Sequence, residues 1–412
     1  MRILWFEVTM PAKYKDGGGV VGGWQDSLEE IIRTVEDIEL YIAFEGFSCD
    51  TVKNIDGVTY IPVPTKDLSL IERRKERLSW KYNEKRVVKG ALEVIKTVKP
   101  DLIHVFGMEW SWASVASYTN IPIVIHIMGS MIPYYNGLFP PGYSKWDFYL
   151  DCFPNIKKMF DYWASQKKNL SWRNLESNRW HIVKNYMGRT NWDRALMNTL
   201  QPSGNYYHVD EALRSAFLIN KATWNIPTGH KISLVSIGCS TFLKGIDVML
   251  KTANVLRSMN IDFEWSVAGA MHMNEKRIAE KKEKLKFEEN NIKILGYLNQ
   301  KQLVELLRDS TIYVHAAYCE NSPNSICEAQ IIGVPIVSTN VGGISTLIRD
   351  CGVLVPANDP WQLANAIVEL WHDKERMEKM SKKGQLIASN RHNPDNIKKQ
   401  LLDCYKNIIE QR

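Results

Sequence analysis

The chain has 412 residues, 45% hydrophobic and 24% charged, which is too long for one ordinary core and suits two domains. No uninterrupted apolar run nears the roughly 20 residues that span a bilayer, and the apolar start at Met1 lacks the length and cleavage site of a secretory signal. The net charge is a modest +6, and the seven cysteines form no Cys-x-x-Cys pair, so the chain reads as a cytoplasmic protein with reduced thiols and no zinc site.

In chain order, strands are predicted at 3–8, 40–44, 58–63, 102–106 and 123–128. The run Gly17 to Gly23 follows the first strand and precedes an amphipathic helix carrying Leu28, Ile31, Ile32 and Val35. Gly22 and Gly23 allow a substrate to approach the backbone closely. The run is not a dinucleotide fingerprint, because no acidic residue ends a following strand as that motif requires. The stretch 67–99 reads as largely helical and is dense in basic residues from Arg73 to Lys89. His104 and His126 lie near two strand ends, and Glu109 and Gly129 follow them in the adjoining loops. These four are candidates for acceptor contact, set against the ordinary role of a strand histidine in the core.

From about 140 to 188 the sequence becomes an aromatic, basic insertion of weaker periodicity, with Trp146, Trp163, Trp172 and Trp180 among lysines and arginines. Tryptophan beside cations suits an anionic membrane surface; the competing reading is aromatics that pack the domain and charges that are solvated. Nucleic acid is not assigned as a partner. The domain join falls near 220–230, giving expected limits of 1–220, 221–393 and a final helix over 394–412.

The C-terminal half has the clearer rhythm. Strands at 233–237, 263–267, 292–295, 312–316 and 335–339 alternate with helices near 246–256, 300–308 and 325–332. Such alternation implies a parallel sheet, in which ligands sit beyond the carboxyl ends of the strands. Gly238, Gly269, Gly296 and Glu320 lie at or just past those ends, and Tyr297 follows Gly296.

Glu320 and Glu328 are the most informative pair. The first sits in a loop after a strand and the second early in the next helix, with Asn321, Ser322, Pro323, Asn324 and Ser325 between. Asn324 or Ser325 is placed to cap that helix. Carboxylates grip sugar hydroxyls, and the N–H groups of a helix N-terminus favour a phosphate. The loop from Gly238 to Gly245 ends a strand and opens a helix, and its Lys244 offers an ammonium to a diphosphate; its spacing is not that of a P-loop. His315 lies inside an apolar strand and reads as structural.

These residues resemble those of the retaining glycosyltransferases of family four (glycosyl transferases group 1), most strongly over 233–360. The family's Glu-Gly-x-Pro-Asn is similar to Glu320-Asn-Ser-Pro-Asn324 here. Its Gly-Arg followed by Lys-Gly is similar to Gly238-Cys239 and Lys244-Gly245, with cysteine in place of the arginine. Its Gly-Gly-x-Pro-Glu appears as Gly342-Gly-Ile-Ser-Thr346, without the acid, and its N-terminal Gly-Gly as Gly22-Gly23. The resemblance implies the α/β GT-B fold, two Rossmann-like parallel-sheet domains facing across a cleft. It implies transfer from a nucleotide-sugar to a glycan or lipid-linked acceptor, with no cofactor and no metal, as in surface polysaccharide synthesis. Glu328 would hold the ribose, Glu320 the transferred sugar, and Lys244 with the N–H groups near 323–325 the leaving diphosphate. It also implies that domain closure excludes water and that the final helix crosses back to the first domain. An epimerase on the same fold, or a non-catalytic nucleotide- or glycan-binding protein, is the alternative.

Overall fold

The computed structural model describes residues 1–15, 23–79, 84–219 and 223–411. The chain divides into two compact units. Unit 1 comprises Met1–Tyr135, Lys157–Ala212 and His392–Arg412; unit 2 comprises Asn136–Ile156 and Leu213–Arg391.

Unit 1 is built on eight strands: β1 (Arg2–Glu7), β2 (Glu39–Gly46), β3 (Lys53–Ile55), β4 (Val58–Pro64), β5 (Leu102–Phe106), β6 (Ile123–His126), β7 (Asn185–Gly188) and β8 (Asn205–His208). Their order is β3-β4-β2-β1-β5-β6-β7-β8, with β3 antiparallel to β4 and the remaining pairs parallel. Central β1 pairs Trp5 with Ile42 on one side and His104 on the other. Strands buried on both faces read as unbroken apolar runs, which is why Ile-Leu-Trp-Phe and Leu-Ile-His-Val-Phe look alike in the sequence. The helix Pro394–Glu410 closes this unit: Ile397, Leu401, Cys404, Tyr405 and Ile408 share a core with Ile3, Trp5, Leu28 and Phe106.

Unit 2 holds a six-stranded, wholly parallel sheet of β9 (Ile232–Ile237), β10 (Phe263–Ala268), β11 (Ile292–Gly296), β12 (Ile312–His315), β13 (Ile336–Thr339) and β14 (Val353–Val355), in the order β11-β10-β9-β12-β13-β14. The order reverses at β9, whose neighbours are β10 and β12, so a crevice opens at the carboxyl end of β9 and its neighbours.

The units differ from the sequence-derived limits chiefly at residues 136–156, which belong to unit 2 rather than to the N-terminal domain. The cause is a packed and charged contact. Tyr143 and Phe148 lie against Phe242 with ring centroids 4.8 and 5.4 Å away. The Tyr143 hydroxyl donates to Glu283 over 2.6 Å. The rest of the insertion, whose sequence has weaker periodicity, contains the helix Ile156–Trp180 of 25 residues.

Candidate functional site

Glu320 lies in the loop between β12 and the helix Asn324–Ile332, and two glycine-bearing loops clamp that loop from either side. Gly245 has φ +75°, and a Cβ there would meet the Ala316 carbonyl at 1.9 Å. Gly342 has φ +55°, and a Cβ there would stand 1.5 Å from the Glu320 carbonyl. Only glycine permits both approaches. Backbone bonds complete the clamp: Tyr318 N–H to the Leu243 carbonyl at 2.9 Å, and Gly343 N–H to the Asn321 carbonyl at 3.0 Å. Pro323 occupies the cap position of the following helix, with no side-chain cap, which corrects the expectation of capping by Asn324 or Ser325. Proline there leaves the N–H groups of the first turn without a side-chain acceptor from the cap residue.

Glu320 is buried, with 4% of its surface exposed. Its carboxylate pairs with the Lys244 ammonium and lies 3.0 Å from His315 Nε2. Burial alone would raise its pKa; the Lys244 charge and the His315 hydrogen bond outweigh that and take it down to about 2. The site continues behind His315. The Tyr313 hydroxyl sits 3.3 Å from His315 Nδ1 and 2.7 Å from Ser325 Oγ, so the network runs from the first turn of the helix to the carboxylate. His315 is therefore part of the site rather than plain core. An apolar strand context hid it in the sequence.

Glu328, also buried, accepts from the Arg214 guanidinium over 2.8 and 2.6 Å. Arg214 in turn stacks on Phe217, 4.9 Å from the ring centroid. Sequence reasoning missed Arg214, because a single arginine before the second sheet has no spacing that marks it. Cys239, at the position where the resembled family has arginine, is 1% exposed and its thiol is pushed up to about 11 by burial. It faces the core and supplies no charge. Gly238, Gly269 and Gly296 end adjacent strands and are tied together: Gly238 N–H donates to the Ala268 carbonyl at 2.9 Å and Gly269 N–H to Gly296 at 2.7 Å. Open space surrounds the missing Cβ of Gly238 and Gly296, and Tyr297 beyond them is exposed.

The residues expected on the acceptor side lie in unit 1. Gly22 falls outside the described residues, while Gly23 opens the helix Trp24–Ile32 with no atom near its missing Cβ. His126 ends β6, is fully buried, and among the described residues neither ring nitrogen has a hydrogen-bond partner. Its basicity is pushed well down by burial, with Arg189 and His104 adding to the effect. His104 lies deeper, its Nδ1 2.6 Å from the Tyr405 hydroxyl; it braces the final helix from within the core. Glu109 is half-buried and its carboxyl is raised to about 7, mainly by burial. Gly129 stands where a Cβ would touch the Tyr134 ring at 3.0 Å. The structure adds residues that the sequence did not reveal. Glu7 ends β1 buried and is held well above the ordinary carboxylate range by burial. Arg189 lies over the Trp24 ring at 4.7 Å and 3.4 Å from Glu211. Among the described residues no group of three or more His, Cys, Asp or Glu is placed to hold a metal ion.

Residues 219–386 match the family model for glycosyl transferases group 1. That match covers most of unit 2 and less than half of the chain. The chain is 30% identical over 155 residues to a D-inositol 3-phosphate glycosyltransferase of Paenarthrobacter aurescens, covering 36% of each chain. It is 24% identical over 189 residues to a putative colanic acid biosynthesis glycosyltransferase, WcaL, of Salmonella typhimurium, covering 44% of this chain and 46% of that one. The matched stretches thus span less than half of those relatives. The sucrose-phosphate synthase of Thermosynechococcus elongatus superposes over 100% of both chains with a TM-score of 0.74 at 14% identity. That likeness shows the fold, the GT-B pair of parallel-sheet domains.

Proposed function

We propose that this protein is a retaining glycosyltransferase that moves a sugar from a nucleotide-sugar to a glycan or lipid-linked acceptor in surface polysaccharide synthesis. The observation that carries this reading is the buried Glu320 carboxylate, paired with Lys244 and His315 and set before a helix N-terminus whose cap residue, Pro323, offers no side-chain acceptor. When the bond from the sugar anomeric carbon to the diphosphate breaks, negative charge develops on the leaving oxygens. A fixed ammonium and helix N–H groups stabilise that charge without reorganising. Glu320, ionised well below neutral pH, accepts hydrogen bonds from the sugar hydroxyls, while Lys244 bridges it to the diphosphate. Glu328, oriented by Arg214, takes the ribose hydroxyls. The acceptor hydroxyl attacks the anomeric carbon and its proton passes to the departing phosphate, so sugar and proton both balance and nucleoside diphosphate leaves. No resident metal is assigned a role, and the same relative that supports polysaccharide synthesis, the colanic acid enzyme, supports the acceptor class.

The acceptor side is assigned to the strand ends of unit 1 around His126, whose ring lies 4.7 Å from that of Trp24, next to Gly23, and to Glu109 in the loop after β5. A nucleotide-sugar epimerase would convert donor with no acceptor present, and a binding protein would hold it without turnover. The test is a panel of nucleotide-sugars with chelator present, read by thermal shift and by release of nucleoside diphosphate. One donor is expected to shift the melting temperature and to be hydrolysed slowly. Glu320→Ala and Glu328→Ala are expected to lower turnover about a hundredfold or more with the fold intact. Normal turnover in both variants would refute the site.

A further inference from the structure

The helix Lys145–Cys152 has two faces with opposite fates. One face carries Asp147, Phe148 and Asp151. Phe148 is buried, Asp147 pairs with Lys282 at 3.0 Å, and Asp151 is held by Arg277 through two bonds of 2.6 and 2.5 Å. The other face carries Trp146 and Leu150, four residues apart; Phe153 caps the helix in extended conformation and Ile156 opens the next one. Their exposures are 71, 61, 69 and 78%. Apolar residues at helical spacing normally mark the buried side of a helix. Here the buried side is already occupied by unit 2, and a second apolar stripe is left facing outward.

The charge pattern around the stripe is mainly basic. Asp147 and Asp151 are the only acidic residues from 136 to 156, and both are neutralised by the helix Met273–Glu283. Exposed Lys145 precedes the stripe, and exposed Lys157 and Lys158 follow it, with a single exposed acid, Asp161, one turn further on. An aromatic–aliphatic ridge rimmed by lysines, with tryptophan included, is suited to the interface of an anionic bilayer. A second copy of the chain suits it less: a two-fold contact would set the lysine rim against itself.

We propose that the stripe Trp146, Leu150, Phe153 and Ile156, with its flanking lysines, docks the protein on an anionic phospholipid surface. The proposal deepens the reading of a lipid-linked acceptor given above, and rests on that reading only for its purpose. Docking would present the donor domain to an acceptor held in the same surface.

The experiment is co-flotation of the full chain with phosphatidylcholine vesicles, with and without phosphatidylglycerol, at low and high salt. The protein is expected to float with the anionic vesicles and to be released by salt. Trp146→Ala combined with Leu150→Glu is expected to lower the vesicle-bound fraction about tenfold or more. The same variant should keep its donor-induced thermal shift and donor hydrolysis in free solution, since both side chains are exposed and neither covers Phe242. Failure of the unmodified protein to float at low salt would overturn the proposal while leaving the transferase reading standing. So would unchanged flotation of the double variant. The helix Leu70–Ser79 also exposes Leu70, Ile71 and Leu78 among basic residues, so loss of flotation only with Ile71→Glu would place docking there and refute the stripe. A dimer that the double variant breaks, with no vesicle binding, would assign the stripe to a second copy and likewise overturn the proposal.

Discussion

Glu320 shows how one residue can be both buried and charged. Isolation in the interior favours the neutral acid, yet the Lys244 ammonium and His315 hold it ionised. Its charge therefore depends on a neighbour that the proposed reaction also uses. Lys244→Ala is expected to weaken binding of nucleoside diphosphate and also to raise the Glu320 pKa. The acid limb of the pH–rate profile should then move from near pH 2, about where Glu320 titrates, toward neutral pH. Unchanged binding with an unmoved acid limb would refute this coupling. His126 offers a second residue-scale expectation. Burial lowers its pKa below the ordinary value of 6.5, so folding excludes a proton that the unfolded chain accepts. Stability on this account is complete above about pH 6.5 and falls as the solution is acidified. His126→Phe should reduce that acid loss, measured by urea denaturation at acid and neutral pH. It should cost no more than about 1.5 kcal/mol at neutral pH, because no hydrogen bond within the described residues is broken.

At the scale of elements, the site is held by loops rather than by helices or strands. Gly342→Ala would force a Cβ into the Glu320 carbonyl, and the clash can be relieved only by moving the loop that carries the carboxylate. The variant is expected to lose about 2–4 kcal/mol of stability and most of its turnover. Chemical denaturation and single-turnover assays would measure both; a stable, active variant would sink the clamp. Much of this was legible in the sequence. Long apolar runs marked β1, β5, β9 and β12, and the spacing of Glu320 and Glu328 placed one carboxylate after a strand and the other on a helix. The two glycines after β13 were visible, but their purpose was not, since their partner is a backbone carbonyl more than 20 residues earlier. Arg214 and His315 escaped for the same reason: each acts through a contact across the fold, and neither breaks the local pattern. Strands β7 and β8, with four residues each, were too short to show a period. The Ile156–Trp180 helix was obscured because its aromatic and basic residues do not fall on one stripe.

At the scale of the whole molecule, the chain passes between the units repeatedly. It leaves unit 1 after Tyr135, returns at Lys157, leaves after Ala212 and returns at His392. Neither unit can be cut out as one contiguous piece. A fragment of residues 213–391 would lack the Tyr143 and Phe148 rings that cover Phe242, and the acids that pair with Arg277 and Lys282. Such a fragment is expected to melt at least several degrees below the same fragment fused to 136–156. Equal melting would show that the segment contributes little to unit 2.

The helix Pro394–Glu410 has a consequence for synthesis. Its Tyr405 hydroxyl lies 2.9 Å from the Trp5 indole nitrogen, 400 residues earlier, and 2.6 Å from His104. The ribosome releases a chain at about 5–20 residues per second, so those first strands wait many seconds for the side chains that seal them. The unit whose translation begins first is finished last. During that interval its apolar strands are exposed, and a nascent chain stalled before residue 394 would be a substrate for chaperones rather than a half-folded protein.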